Sequence, residues 1–150
     1  MAAIANMWHA LTQPQKVTCD EVHVWRAFLD QDASILHDME QILSIGERDR
    51  ARQFYFVRDR SHYIMARGFL RVILSHYLDF DPSQLRFRYN PYKKPSLASP
   101  WDQERLHFNL SHSDGLALYV IAHGRRVGID LERIREDVSF ELLAKLFFRR

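Results

Sequence analysis

The sequence predicts an α+β fold in which an antiparallel sheet is packed by helices. Three observations predict it: several short segments alternate in polarity, two stretches carry apolar residues at helical spacing, and turn signals separate them. With 47% hydrophobic residues in 150 positions, the chain has enough apolar side chain for one sizeable core.

Residues 1–18 mix small, polar and aromatic residues without a period and are expected to form an N-terminal arm. Between Glu21 and Phe28, Val22 and Val24 alternate with His23 and Trp25, which is the period of a strand. Ile35, Leu36, Met39, Ile42 and Leu43 then recur at helical spacing. Ser44 and Glu47 have the spacing of a capping box, so a further helix should begin there.

From Arg48 to Leu78 there is no proline and one glycine, and Ala66, Leu70, Ile73 and Tyr77 make an apolar stripe. Arg60, Arg67 and Arg71 share another face, which periodicity alone reads as either a solvated stripe or a groove for a polyanion. A turn is expected over Asp79 to Pro82, a short strand over Leu85 to Tyr89, and a loop over Asn90 to Trp101, where three prolines remove backbone donors. Strands follow at Leu106 to Leu110, Leu116 to Ala122 and Val127 to Leu131, the last two joined through His123-Gly124-Arg125. Ser139 can cap a final helix carrying Leu142, Leu143, Leu146 and Phe147.

Twenty-one basic residues against 19 acidic ones leave a net charge of +2, too balanced for a nucleic-acid footprint. Most of the basic residues are Arg, which suits forked recognition of phosphate or carboxylate, although a solvated helix face uses Arg equally well. The single Cys19 forms no internal disulfide, residues 1–10 lack a signal-peptide pattern, and no apolar run approaches the ~20 residues of a membrane span. A cytoplasmic protein is expected, without nucleic-acid or membrane partners.

Two motifs carry the chemistry. Phe108-Asn109-Leu110-Ser111-His112-Ser113 sets hydroxyls beside an imidazole, and Gly128-Ile129-Asp130-Leu131-Glu132 follows. On a strand, Asp130 and Glu132 point to one side while Ile129 and Leu131 point to the other. Two aligned carboxylates suit a magnesium ion, which usually adds waters and substrate phosphate oxygens to one or two carboxylates. Taken alone, Ser111-His112-Ser113 is better read as a strand-end turn whose hydroxyls bond local backbone; the second motif reverses that preference. Zinc spacing, a nucleophile elbow, and Walker or dinucleotide glycine patterns are all missing.

The two motifs together resemble those of the Sfp-type 4′-phosphopantetheinyl transferases, which read F-N-I/L-S-H-S and then G-I/V-D-I/L/V-E at about this separation. Arg48 to Arg71 resembles that family's arginine-studded helix, Tyr92-Lys93-Lys94-Pro95 its Y-G-K-P loop, and Phe147-Phe148 the start of its F-F-S/T-x-x-E segment. Lys93 stands where the family pattern has glycine, and the later W-S/T-x-K-E-A/S motif, with a third acidic residue, does not occur.

The resemblance implies the first lobe of a pseudo-twofold fold, with an arm at 1–18, the lobe at 19–131 and the start of a second lobe at 132–150. It further implies transfer of 4′-phosphopantetheine from coenzyme A to a serine of an apo acyl or peptidyl carrier protein, with Mg2+. Asp130 and Glu132 would hold the metal, His112 would serve catalysis and coenzyme binding, and Arg67, Lys94 and Ser111 would contact coenzyme A. The chain alone is expected to be inactive until a second lobe, or self-association of two copies, completes the site. The rival expectation is a non-catalytic coenzyme A or carrier-protein binding module.

Overall fold

A computed structural model describes residues 15–134. In chain order it contains strand β1 (Val22–Phe28), helices α1 (Ala33–Gln41), α2 (Ile45–Arg52) and α3 (Val57–Leu78), and strands β2 (Phe87–Tyr89), β3 (Pro95–Leu97), β4 (Leu106–Ser113) and β5 (Leu116–His123). The expected α+β class is thus observed, with two antiparallel sheets in place of one. The larger has the order β1-β5-β4 and the smaller pairs β2 with β3.

β5 is the central strand, with Tyr119 opposite Trp25 on one side and Leu110 on the other. Its residues Ala117, Tyr119 and Ile121 are fully buried in one core with Phe69, Leu70, Ile73 and Leu74 of α3. The Tyr119 hydroxyl donates to the Ala66 carbonyl at 2.8 Å, so the one polar atom this ring brings into the core is satisfied. β4 and β5 are joined by Asp114-Gly115, both with positive φ (48° and 81°), the backbone that two-residue hairpins favour.

The helices start where the caps place them. Asp32 accepts from the Ile35 N–H at 3.1 Å, and Ser44 and Glu47 form the expected reciprocal capping box. α1 then crosses α3 at Gly68, where an added Cβ would lie 2.7 Å from Met39 Cβ. Only glycine permits that approach.

Several expectations need correction. The stretch from Arg48 to Leu78 is not one helix: α2 ends at Arg52 and α3 begins at Val57, with Gln53 to Phe56 between them. Three consecutive aromatic residues, Phe54, Tyr55 and Phe56, have weak helix preference, and Arg60 donates to the Phe54 carbonyl instead, at 3.2 Å. The strand expected from Leu85 begins at Phe87, because Leu85 follows a 3-10 turn and is buried. The proline-rich loop contains β3, where Pro95 stands at the strand's first position and removes no needed donor.

The strand expected at Val127 to Leu131 forms no ladder, so the hairpin through His123-Gly124-Arg125 is absent and β5 turns back to pair with β1 instead. The Gly124 N–H bonds the Arg105 carbonyl at 2.8 Å. Arg71 does not share a surface with Arg67: it is 1% exposed and ion-paired to Glu47. No described helix is long and apolar enough to cross a membrane. Residues 1–14 of the arm and the helix expected from Ser139 lie outside the described residues.

Candidate functional site

β4 separates the two halves of the Ser-His motif. Phe108 and Leu110 face the core, so His112 emerges at the end of that row, while Asn109 and Ser111 lie on the opposite face. Ser111 reaches the second motif from there. Its Oγ accepts from the Leu131 N–H at 3.1 Å and donates to Asp130 Oδ1 at 3.3 Å. The residues around Asp130 thus run beside β4 tied by a side chain and not by a backbone ladder. Ile129 and Leu131 are half-buried while Asp130 and Glu132 are exposed, so the expected alternation survives without the strand.

Asp130 and Glu132 offer hard oxygen donors to solvent, the donor set magnesium takes when water and phosphate oxygens complete its shell. Among the described residues, no three His, Cys, Asp or Glu side chains group closely enough to hold a metal by themselves. A cation at these two carboxylates would need further oxygens from water or a ligand to complete its shell.

His112 opens onto a cavity of ≈ 500 Å³ whose lining includes Arg50, Tyr63, Arg67, Tyr89 and Lys93. Arg67 lies between two rings, its guanidinium carbon 5.6 Å from the Tyr63 centroid and 5.8 Å from that of Tyr89. Such stacking fixes the fork in place. Its Nη1 is buried and has no hydrogen-bond partner among the described residues. Loss of water around His112, with His62 and Arg67 nearby, holds its imidazole below the ordinary value of 6.5. Desolvation raises Tyr63 and Tyr89, so both phenols stay neutral.

Beneath this cavity lies a buried support. Arg71 Nε donates to Glu47 Oε2 at 2.8 Å, and Arg71 Nη1 donates to the carbonyls of Pro82 and Leu85 at 2.9 and 2.8 Å. Glu47 Oε1 has no partner among the described residues and belongs to a residue that lines the cavity.

The two adjacent lysines part company. Lys93 lines the cavity of Arg67 and His112, whereas Lys94 lines a second one of ≈ 510 Å³ with Arg88, Arg105, His107 and Arg126. Asn90 builds the turn that separates them: its Oδ1 accepts from the Tyr92 and Lys94 N–H groups at 3.0 and 2.9 Å, and its carbonyl accepts from Lys93 at 2.9 Å. That turn puts Lys93 at φ 61°, in the left-handed region where glycine is at ease.

Of the residues singled out from the sequence, the structure brings Arg67 and His112 together and ties Ser111 to Asp130, with Glu132 two residues on. Lys94 stands apart. Sequence reasoning missed Arg50, Tyr63 and Tyr89 as lining residues, because nothing in the helical period or in a three-residue strand marks a side chain as facing a cavity.

Residues 25–124 match the family model described as 4′-phosphopantetheinyl transferase, N-terminal. The chain is 44% identical over 140 residues to the 4′-phosphopantetheinyl transferase HetI of Nostoc sp., covering 92% of this chain and 59% of that protein. It is 31% identical over 108 residues to the 4′-phosphopantetheinyl transferase Sfp of Bacillus subtilis, covering 72% and 46%. A putative 4′-phosphopantetheinyl transferase of Synechocystis sp. is 30% identical over 122 residues, covering 78% and 47%. The chain spans about half the length of these relatives.

Proposed function

Since the chain belongs to the 4′-phosphopantetheinyl transferase family, we propose that it supplies the coenzyme A lobe of a phosphopantetheinyl transferase acting on an apo acyl or peptidyl carrier protein. In that reaction the carrier serine oxygen bonds to the phosphorus nearer the pantetheine. The bond from that phosphorus to the bridging oxygen breaks, and 3′,5′-ADP leaves. The serine hydroxyl proton passes to a general base, and no described residue is assigned that role.

The observation that carries this reading is the division made by β4. Ser111 anchors the carboxylate segment on one face, while His112 faces a basic cavity on the other. A ligand with two separated phosphate groups, as coenzyme A has, fits such a division. Its pyrophosphate would lie on the Asp130 and Glu132 side, and its ribose phosphate in the cavity of His112 and Arg67. Mg2+ held by Asp130, Glu132 and the pyrophosphate would act as Lewis acid toward the charge growing on the phosphate oxygens. The Ser111 hydroxyl positions Asp130 through the two contacts it makes, and Arg67, held between two tyrosines, offers a buried donor that an anion would satisfy.

A second lobe is the proposed completion. Val22, Val24 and Phe28 of β1 leave apolar side chains exposed on the sheet face away from α3, which suits packing by such a lobe. The test is labelling of an apo-carrier with coenzyme A and Mg2+ by this chain joined to, or mixed with, a second lobe bearing W-S/T-x-K-E-A/S. Mass spectrometry should find phosphopantetheine on the carrier serine. Tight coenzyme A binding with no transfer in the completed protein would favour a non-catalytic binding module.

A further inference from the structure

We propose that Lys93 is the residue by which this chain selects a coenzyme bearing a terminal phosphomonoester over the same coenzyme without it. This rests on the coenzyme A reading of the cavity given above and assigns a specificity role within it.

Two observations meet at this residue. The first is its backbone, held at φ 61° by the Asn90 turn. A side chain other than glycine is rarely placed there, so the turn and not the preference of lysine sets where this residue stands. The second is the cavity it lines. Arg50, Arg67 and Lys93 bring three cations to one concave surface, and none of them has a carboxylate ion-pair partner among the described residues. Glu47 is the acidic residue of that lining, and its charge is matched by Arg71 at 2.8 Å. The excess of positive charge, the buried unpaired Arg67 Nη1 and the imidazole of His112 suit a dianion with several acceptor oxygens.

A phosphomonoester is such a dianion, while each phosphorus of a pyrophosphate diester carries one charge. The carboxylates Asp130 and Glu132 repel phosphate unless a cation intervenes, so the cavity and the carboxylate side take different phosphates. Lys93, a compact point charge on a long stem, then reads the terminal group, while the stacked Arg67 fork fixes its orientation.

The experiment is calorimetric titration of the full chain with coenzyme A and with 3′-dephospho-coenzyme A, for wild type, Lys93→Gly and Lys93→Arg. Wild type should prefer coenzyme A. Lys93→Gly should lower coenzyme A affinity roughly tenfold while changing dephospho-coenzyme A affinity less than about twofold, and Lys93→Arg should restore most of the preference. Glycine suits this φ, so the variant should remain folded. If wild type prefers coenzyme A and Lys93→Gly keeps the full preference, the Lys93 assignment is wrong while the coenzyme reading stands. If wild type binds neither ligand, the coenzyme reading falls and takes this assignment with it.

Discussion

Arg71 and Glu47 form an ion pair at 2.8 Å in which the two side chains are 1% and 3% exposed. The pair joins α3 to the first turn of α2, and Glu47 also accepts from the Ser44 N–H at 2.9 Å as half of the capping box. One carboxylate thus caps a helix, neutralises a buried guanidinium and lines the candidate coenzyme cavity.

Removing either charge alone leaves the other buried. Arg71→Ala or Glu47→Gln is expected to cost about 3–5 kcal/mol, read from urea unfolding midpoints at constant slope. A loss under about 1 kcal/mol would mean that water reaches the pair and that it supports the cavity little.

Lys93→Gly should stabilise the fold, because glycine adopts φ 61° without the ~1–2 kcal/mol cost borne by an L side chain. The opposite signs expected for stability and for coenzyme affinity separate backbone strain from charge. A destabilised Lys93→Gly would show that the lysine side chain is a structural strut.

The helix crossing at Gly68 admits no methyl group, since an added Cβ would meet Met39 Cβ at 2.7 Å. Gly68→Ala should destabilise by about 1–3 kcal/mol despite the better helix propensity of alanine, and trimming Met39 to alanine in the same chain should recover part of that loss. Additive effects in the double variant would argue against a direct clash.

Acid should weaken the fold through two histidines. Partial loss of water holds His112 and His107 below the ordinary value of 6.5; His62 and Arg67 add to this for His112, and Arg126, Arg105 and His123 for His107. Between each depressed value and 6.5 the unfolded chain binds more protons than the folded one, so stability is full above 6.5, falls as pH drops below it, and levels off once the folded groups titrate. An anion beside His112 would reverse the bias there; the other charged and titratable groups facing it are Arg50, Arg67, Lys93, Tyr63, Tyr89 and His62, the last hydrogen-bonded to Asp30 at 2.7 Å. Coenzyme A binding should therefore take up protons near neutral pH, visible as a buffer-dependent binding heat, and His112→Gln should remove that uptake. An identical heat in all buffers for wild type would contradict the placement of a phosphate at His112.

Much of the fold was legible because its signals are local. The capping box at Ser44 and Glu47, the alternation of Val22 to Trp25 and the apolar stripe of α3 each depend on neighbours within a few residues. The misreadings involve distant partners. Nothing near Val127 reveals that β5 already has a strand on each side, so that no ladder position is left for that segment between them. Arg71 looks like Arg67 in the helical period, and only its packing against Glu47 makes it structural. In the site, Ser111, His112, Asp130 and Glu132 stand out in the sequence as residue types that carry chemistry, whereas the separation of Lys93 and Lys94 into two cavities depends on a turn that Asn90 imposes. The shared role of Ser111 and Asp130 was also hidden, because it lies in one hydroxyl spanning two segments.

The most direct test of the coenzyme and metal reading is a magnesium titration of the chain with and without saturating coenzyme A. We predict weak magnesium binding in the absence of the nucleotide and clear tightening in its presence, with the coupling lost in Asp130→Ala and reduced in Ser111→Ala, because the exposed carboxylates need phosphate oxygens to complete the metal's shell. Magnesium affinity that is the same with and without coenzyme A, or that survives Asp130→Ala, would contradict it.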